Sequence, residues 1–225
     1  HEDDWLAFNM FQSGHGRINN PNYLMTLANY ERKPVKPTLD GEPRYEDHPV
    51  NWRAEQGWFD DWDVRQGAYW SMLSGACGHT YGSHNIWQMY EPPRKPVSAA
   101  RTPWKKALHH PGSTQMGYMK QLFLLRPYYR LIPDQQLIAG QEKSEGEHRR
   151  AARAEDSTFA VIYLPTGGSI RVITARLKGQ NLHVSWFDPR IGKVVRSETV
   201  RKEAEITLAA PSAGRGNDWV LVLDS

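Results

Sequence analysis

PTLDGEPRYE (residues 37–46) sets a short extended run against Gly41, Glu42 and Pro43 in immediate succession. The prolines of KPVKPTLDG (33–41) keep the chain extended, Gly41 permits a sharp turn and Pro43 stops further sheet pairing, so the stretch predicts a strand that ends at Glu42. The segments on either side repeat the pattern. WLAFNMFQ (5–12) is apolar and aromatic enough for a buried strand, and SGHGR (13–17) supplies a loop. NPNYLMTLANYER (20–32) then carries an early Pro, with Leu24, Leu27 and Ala28 at helical spacing. Downstream, DDWDVRQGAYWSMLSGA (60–76) opens on aspartates suited to capping and places Val64, Ala68 and Met72 beside Tyr69, Leu73 and Ala76 at i, i+4 spacing. GHTYG (78–82) is a short strand between glycines. After a long Pro-rich loop, GSTQMGYMKQLFLLRPYY (112–129) offers Ser113 or Thr114 as cap and Met116, Met119 and Phe123 on one face. Three strand-helix units in a row predict a parallel α/β architecture, whose ligand site is built from loops at the C-terminal ends of the strands. Glu42, with Glu46 in the same loop, then lies where chemistry is done, while Asp40 points to the other side of the strand's end.

Near residue 140 the texture changes. GQEKSEGEHRRAARAEDS (140–157) is polar and charged, as a linker would be, and the basic cluster HRRAAR (148–153) within it is expected to be solvated. Beyond it the pattern alternates: TFAVIYLP (158–165), SIRVITARL (169–177), LHVSWFDP (182–189), AEITLAA (204–210) and DWVLVLD (218–224), separated by glycine turns. Strands at this spacing predict an antiparallel sandwich. Trp186 and Trp219 fall in these strands as core residues.

Composition excludes several classes. The 39% hydrophobic and 24% charged content is that of an ordinary globular chain, and no apolar run has the ~20 residues of a membrane span. A net charge of +3 is too mild for nucleic acid, and the single Cys77 precludes an internal disulfide. No cofactor is implied, and no His or acidic pair has ligand spacing for a metal. The nine Trp are unusual, six of them between Trp52 and Trp104 in polar, Gly-rich sequence. Flat apolar faces edged by hydrogen-bonding groups suit sugar rings.

With WLAFNMFQSGHG (5–16), PTLDGEPRYE (37–46), VRQGAYWSMLSGACGHTYGSHNIW (64–87), PGSTQMGYMKQLF (111–123), RPYYRLIPDQQLI (126–138) and WFDPRIGK (186–193), the chain closely resembles the apiosidase-like glycoside hydrolases. Ala7 departs from that pattern, which has an acidic residue there. The resemblance implies an α/β fold: the C-terminal part of a (β/α)8 TIM barrel over residues 1–138, followed by an all-β antiparallel sandwich of the kind labelled collagen-binding over 139–225. It implies retaining hydrolysis of a glycosidic bond in plant cell-wall polysaccharide, pectic side chains above all, in a periplasmic or secreted bacterial protein. Glu42, counted back to the seventh barrel strand, is the expected nucleophile, with Glu46 as runner-up and Arg44 favouring the charged form. Gln12 and His15 after the sixth strand, and His79, Tyr81, His84, Asn85 and Trp87 at the eighth, are expected to bind substrate hydroxyls. The partners expected are an oligosaccharide or polysaccharide and the N-terminal barrel half, in the same or a separate chain, which would bring the general acid; this chain alone is then expected to be inactive. The competing reading is a carbohydrate- or protein-binding protein with an inactive barrel remnant. A serine hydrolase is disfavoured by the lack of a GxSxG elbow.

Overall fold

The computed structural model describes residues 1–141, 143 and 145–225. Glu142 and Ser144, inside the stretch expected as a linker, lie outside the described residues. The chain divides into two compact units, His1–Met72 with Ala76–Gly117, and Leu73–Gly75 with Tyr118–Ser225.

In the first unit β1 (Asn9–Phe11), α1 (Asn22–Tyr30), β2 (Thr38–Asp40), α2 (Asp61–Met72) and β3 (Gly78–His79) alternate, followed by the short helices α3 (His84–Trp87) and α4 (Trp104–Ala107) and the start of α5 (Pro111–Leu124). The three strands are parallel in the order β1-β2-β3, with Phe11 beside Asp40 and Asp40 beside His79. The expected strand over 5–12 contracts to three residues, and Trp5, Phe8 and Met10 are exposed rather than buried. β2 stops two residues short of Glu42, which sits in the turn beyond. A Cβ at Gly41 would come within 2.4 Å of Met10 Sδ and displace that exposed side chain, and the Gly41 amide donates to Phe11 O at 2.8 Å.

α1 forms, but on a different face from the one the apolar spacing predicts. Leu24 is exposed, while Asn22 and Thr26 are buried. The cause is polar anchoring: Asn22 Nδ2 donates to Asp40 Oδ2 (3.1 Å), Gly67 O (2.9 Å) and Ser71 Oγ (2.9 Å), which fixes the helix against β2 and α2. α2 is capped by Asp60, whose Oδ1 accepts from the amides of Trp62 and Asp63 while Asp63 Oδ2 accepts from the Asp60 amide, a reciprocal capping box. Every residue from Trp62 to Met72 is buried, so α2 is the core of this unit. α5 begins at Pro111 rather than after Ser113; Pro111 lacks an amide hydrogen that the first turn would leave unpaired, and Ser113 Oγ donates back to His110 O at 2.8 Å.

The second unit carries β4 (Leu131–Pro133), β5 (Arg150–Ala154), β6 (Phe159–Leu164), β7 (Gly167–Val172), β8 (Asn181–Asp188), β9 (Lys193–Arg201), β10 (Ile206–Ala213) and β11 (Trp219–Asp224). They form an antiparallel six-stranded sheet, β4-β5-β6-β11-β8-β9, and an antiparallel pair, β10-β7. Both sheets contribute to one core: Ile170, Val172 and Leu208 from the pair meet Ile162, Leu182, Val184, Trp186, Trp219 and Leu221 from the larger sheet. The basic cluster expected in a solvated linker is instead strand β5. Its arginines have partners: Arg153 Nε donates to the buried Asp134 Oδ2 at 2.6 Å, an oxygen that also accepts from Arg176 Nε at 2.8 Å, and Arg150 Nη1 donates to Gln135 Oε1 at 3.4 Å. No helix among the described residues is long and apolar enough to cross a membrane.

Candidate active site

The site is assembled from the connections that leave the C-terminal ends of β1 and β2. Asp40, the last residue of β2, is fully buried and accepts hydrogen bonds from Ser13 Oγ (2.7 Å), Ser13 N (3.2 Å) and Asn22 Nδ2 (3.1 Å). It is a structural clamp that draws the loop after β1 onto the end of β2. Gly14 N then donates to Glu42 O at 2.8 Å, bringing the side chains of both loops together. Glu42 Oε2 accepts from Gln12 Nε2 at 2.7 Å, and Oε1 lies 3.3 Å from His15 Nε2. Tyr45 N donates to His15 Nδ1 at 3.4 Å, which puts the ring proton on Nε2 and makes it the donor to Glu42. Burial lowers the His15 pKa to about 4, with His84 adding to the effect and Asp40 opposing it. His15 is therefore a neutral donor at pH 7. The Glu42 side chain keeps about a third of its surface open (35%) while His15 beneath it is buried, so the carboxylate is held from one side and accessible from the other.

His15 belongs to a row of imidazoles. It stacks on His48 with ring centroids 4.1 Å apart, and His48 meets His84 edge-on at 4.3 Å. His48 Nδ1 donates to Pro49 O at 2.7 Å. Burial, with His15 and His84 as cationic neighbours if protonated, lowers the His48 pKa to about 3. His84 Nε2 donates to the carbonyls of Val97 and Ser98, both at 3.0 Å, and His84 Nδ1 accepts from Trp87 Nε1 at 3.1 Å. Both His84 nitrogens are thus engaged in pinning the Pro-rich loop and orienting Trp87. Two large aromatic residues border the row: Trp52, 54% exposed, and Trp87, 57% exposed.

Glu46 is placed differently from Glu42. It is buried, its Oε2 accepts from Tyr81 Oη at 2.6 Å, and its Oε1 accepts from Gly112 N at 3.1 Å in the first turn of α5. Burial raises its pKa against the opposing pull of these two bonds. A carboxylate at a helix N-terminus is favourably sited, and its oxygens are spoken for within the protein. Neighbouring Asp47 accepts from Arg101 Nε (2.6 Å), Thr102 Oγ1 (2.7 Å) and Asn85 Nδ2 (2.9 Å), so Asn85 also serves to hold the long loop. Arg44, expected to favour the charged form of Glu42, turns its guanidinium to α2, donating to Gln66 Oε1 at 2.7 Å and lying over the Trp70 ring. His79, next to Asp40 across the β2-β3 ladder, has both ring nitrogens buried with no hydrogen-bond partner, and burial lowers its pKa to about 4. Among the described residues no group of three or more His, Cys, Asp or Glu is disposed to hold a metal ion.

Residues 1–130 match the family model for the apiosidase-like catalytic domain. The chain belongs to the apiosidase-like family. Residues 132–224 match a second model, "Putative collagen-binding domain of a collagenase". Two solved structures share the fold over essentially the whole chain. One, a glycoside hydrolase, is 32% identical with a TM-score of 0.90 over 99% of this chain and 53% of its own. The other, a family 5 glycoside hydrolase from Bacteroides vulgatus, is 30% identical with a TM-score of 0.90 over 100% of this chain and 51% of its own. The chain thus spans about half the length of these structures. No curated protein matches it.

Within this apiosidase-like chain most residues singled out from sequence fall into two groups, and His79 joins neither. Gln12 and His15 converge on Glu42; Tyr81 joins Glu46, and His84, Asn85 and Trp87 order the loop beyond. Sequence reasoning missed His48 and Asp47 as members of the site, and had Trp52 only as one of several Trp suited to sugar rings. The signal available was their spacing from Glu42 in one loop, but the tip that brings them back is formed by the left-handed Asn51 and Trp52.

Proposed function

We propose that the protein is a retaining glycosidase of plant cell-wall polysaccharide, acting on pectic side chains, in which Glu42 is the nucleophile. The observation that carries this is the clamping of an accessible carboxylate by two neutral donors, Gln12 and His15, at the C-terminal end of a parallel sheet. Ionised Glu42 attacks the anomeric carbon as the bond to the leaving oxygen breaks, and a second carboxyl about 5–5.5 Å away protonates that oxygen. Water then cleaves the glycosyl ester, the second carboxyl now acting as base, and Glu42 is regenerated. The donors keep the carboxylate in place for attack and stabilise it again as it departs.

The general acid in this scheme comes from a further segment, on the same or a separate chain, that completes a (β/α)8 barrel. The strand edges of β1 and β3 left unpaired in the three-stranded sheet, and the exposed apolar side chains Trp5, Phe8 and Met10 beside β1, support such a complement. A periplasmic or secreted bacterial location is proposed with it, from the family resemblance. The β unit acts as structural support; the binding-protein reading needs an open aromatic platform there, whereas Trp186 and Trp219 are buried.

The decisive experiment is Glu42→Gly in the protein produced from its whole coding sequence. Hydrolysis of pectic oligosaccharides should collapse, and azide should restore turnover while releasing a glycosyl azide of inverted configuration. Azide rescue that gives no inverted product, or near-wild-type hydrolysis by the variant, excludes Glu42 as nucleophile.

A further inference from the structure

The connection from β2 to α2 makes an excursion that Glu42 does not require. From Asp47 to Phe59 the chain runs out and back as a hairpin, with Asp47 N donating to Phe59 O, Phe59 N to His48 O and Val50 N to Gly57 O. At its tip Asn51 (φ 53°) and Trp52 (φ 59°) are both left-handed, in succession, with no glycine. Asn adopts that conformation readily, but it is rare for a residue as bulky as Trp52. It persists because Asn51 N is tied to His15 O (2.8 Å), Trp52 N to Pro49 O (3.1 Å) and Arg53 N to Val50 O (3.0 Å). A strained backbone kept by several bonds is a signature of a residue held for a purpose other than stability.

What the strain achieves is the position of one side chain. Trp52 stands at right angles to the stacked pair His15 and His48, with centroids 5.8 and 5.6 Å away, and more than half of the residue stays open. His15 in turn holds Glu42. Burial would be the ordinary fate of an indole, as for Trp62 and Trp70 in α2, yet here the fold keeps one exposed and fixed within two side chains of the carboxylate. An open, immobilised aromatic surface beside a glycosidic site is suited to the apolar C–H face of a sugar ring.

Resting on the glycosidase reading above, we propose that Trp52 forms the floor of a second sugar subsite, stacking the ring that adjoins the one attacked by Glu42. Trp52 is a specificity residue: it favours an oligosaccharide over a single glycosyl unit.

The test uses Trp52→Gly and Trp52→Phe in the protein from its whole coding sequence, with two substrates, a pectic oligosaccharide and a glycosyl fluoride of the sugar it releases. The fluoride has a one-atom leaving group and cannot reach the second subsite. Glycine adopts the left-handed conformation freely, which offsets part of the loss of the indole's contacts with His15 and His48, so Trp52→Gly should still fold cooperatively. Its kcat/KM on the oligosaccharide should fall about tenfold or more beyond any fall on the fluoride, and Trp52→Phe should recover most of that difference. Equal losses on both substrates would overturn the subsite while leaving Glu42 in its role. A wild-type protein that cleaves neither substrate would overturn the hydrolase reading and the subsite with it.

Discussion

At the scale of single residues, the site rests on how one carboxylate is held. Gln12 donates to Glu42 from an exposed position, so its contribution is to orientation and charge rather than to folding. Gln12→Leu should lower kcat/KM roughly tenfold to a hundredfold, the worth of one hydrogen bond to a charged group, with Tm nearly unchanged; equal turnover would show that His15 alone suffices. The histidine row makes a second prediction. Burial lowers the pKa of His15 to about 4 and that of His48 to about 3, from 6.5. Between pH 6.5 and 4 the unfolded chain takes up protons that the folded chain refuses, so stability rises with pH across that window and is lost as the pH falls. Thermal melts from pH 7 to 4.5 should show this decline, and His48→Phe, which cannot titrate, should give a shallower one. Glu42, Gln12 and His15 were legible as neighbours because all three lie in the loops that leave the C-terminal ends of β1 and β2. The place of His48 and Trp52 beside them was not, because it depends on a hairpin tip at Asn51 and Trp52 in the left-handed region, which the sequence pattern does not mark.

At the scale of elements, hydrophobic spacing located the helices but not always their faces. α2 was legible as both, since its aspartates cap and its apolar residues are buried all round. Asp60→Ala should destabilise the protein by about 1 kcal/mol, measured by denaturant unfolding, through the loss of a cap. α1 was misread because a buried Asn that bonds to three acceptors outweighs an exposed Leu in setting the helix's rotation. β5 was hidden for a related reason: its arginines look solvated in isolation and are paired in the fold. The junction of Glu46 with α5 carries a sharper prediction. A Cβ at Gly112 would come within 2.4 Å of Glu46 Oε2. Gly112→Ala must push that carboxylate off the helix terminus and should cost about 1–3 kcal/mol; an unperturbed Tm would mean that Glu46 has room to shift.

At the scale of the whole molecule, the periodicity switches from helical to alternating near residue 140, while the second compact unit already takes in Tyr118 onward. Alternation marks where strands are dense, whereas the unit's stability draws on residues earlier in the chain that lack it. Arg126 grips Asp224 through two bonds, Nε to Oδ1 at 2.7 Å and Nη2 to Oδ2 at 2.5 Å. β4 adds an edge to β5, Asp134 receives Arg153 and Arg176, and Leu137 is fully buried in the core. Arg126, β4, Asp134 and Leu137 all precede residue 139, the limit expected from texture. A polypeptide of residues 118–225 has its own core and its own ion pairs, and should unfold cooperatively by itself. One of residues 139–225 loses the partner of two guanidinium groups and a fully buried Leu; each loss of that kind costs about 2–5 kcal/mol, which approaches the whole stability of a unit this size. Calorimetry of the two polypeptides distinguishes the cases: a cooperative transition for 118–225 and none, or one far lower, for 139–225. Equal melting of both would mean that the strands from β5 onward are self-sufficient and that β4 and the Arg126–Asp224 pair are peripheral to the fold.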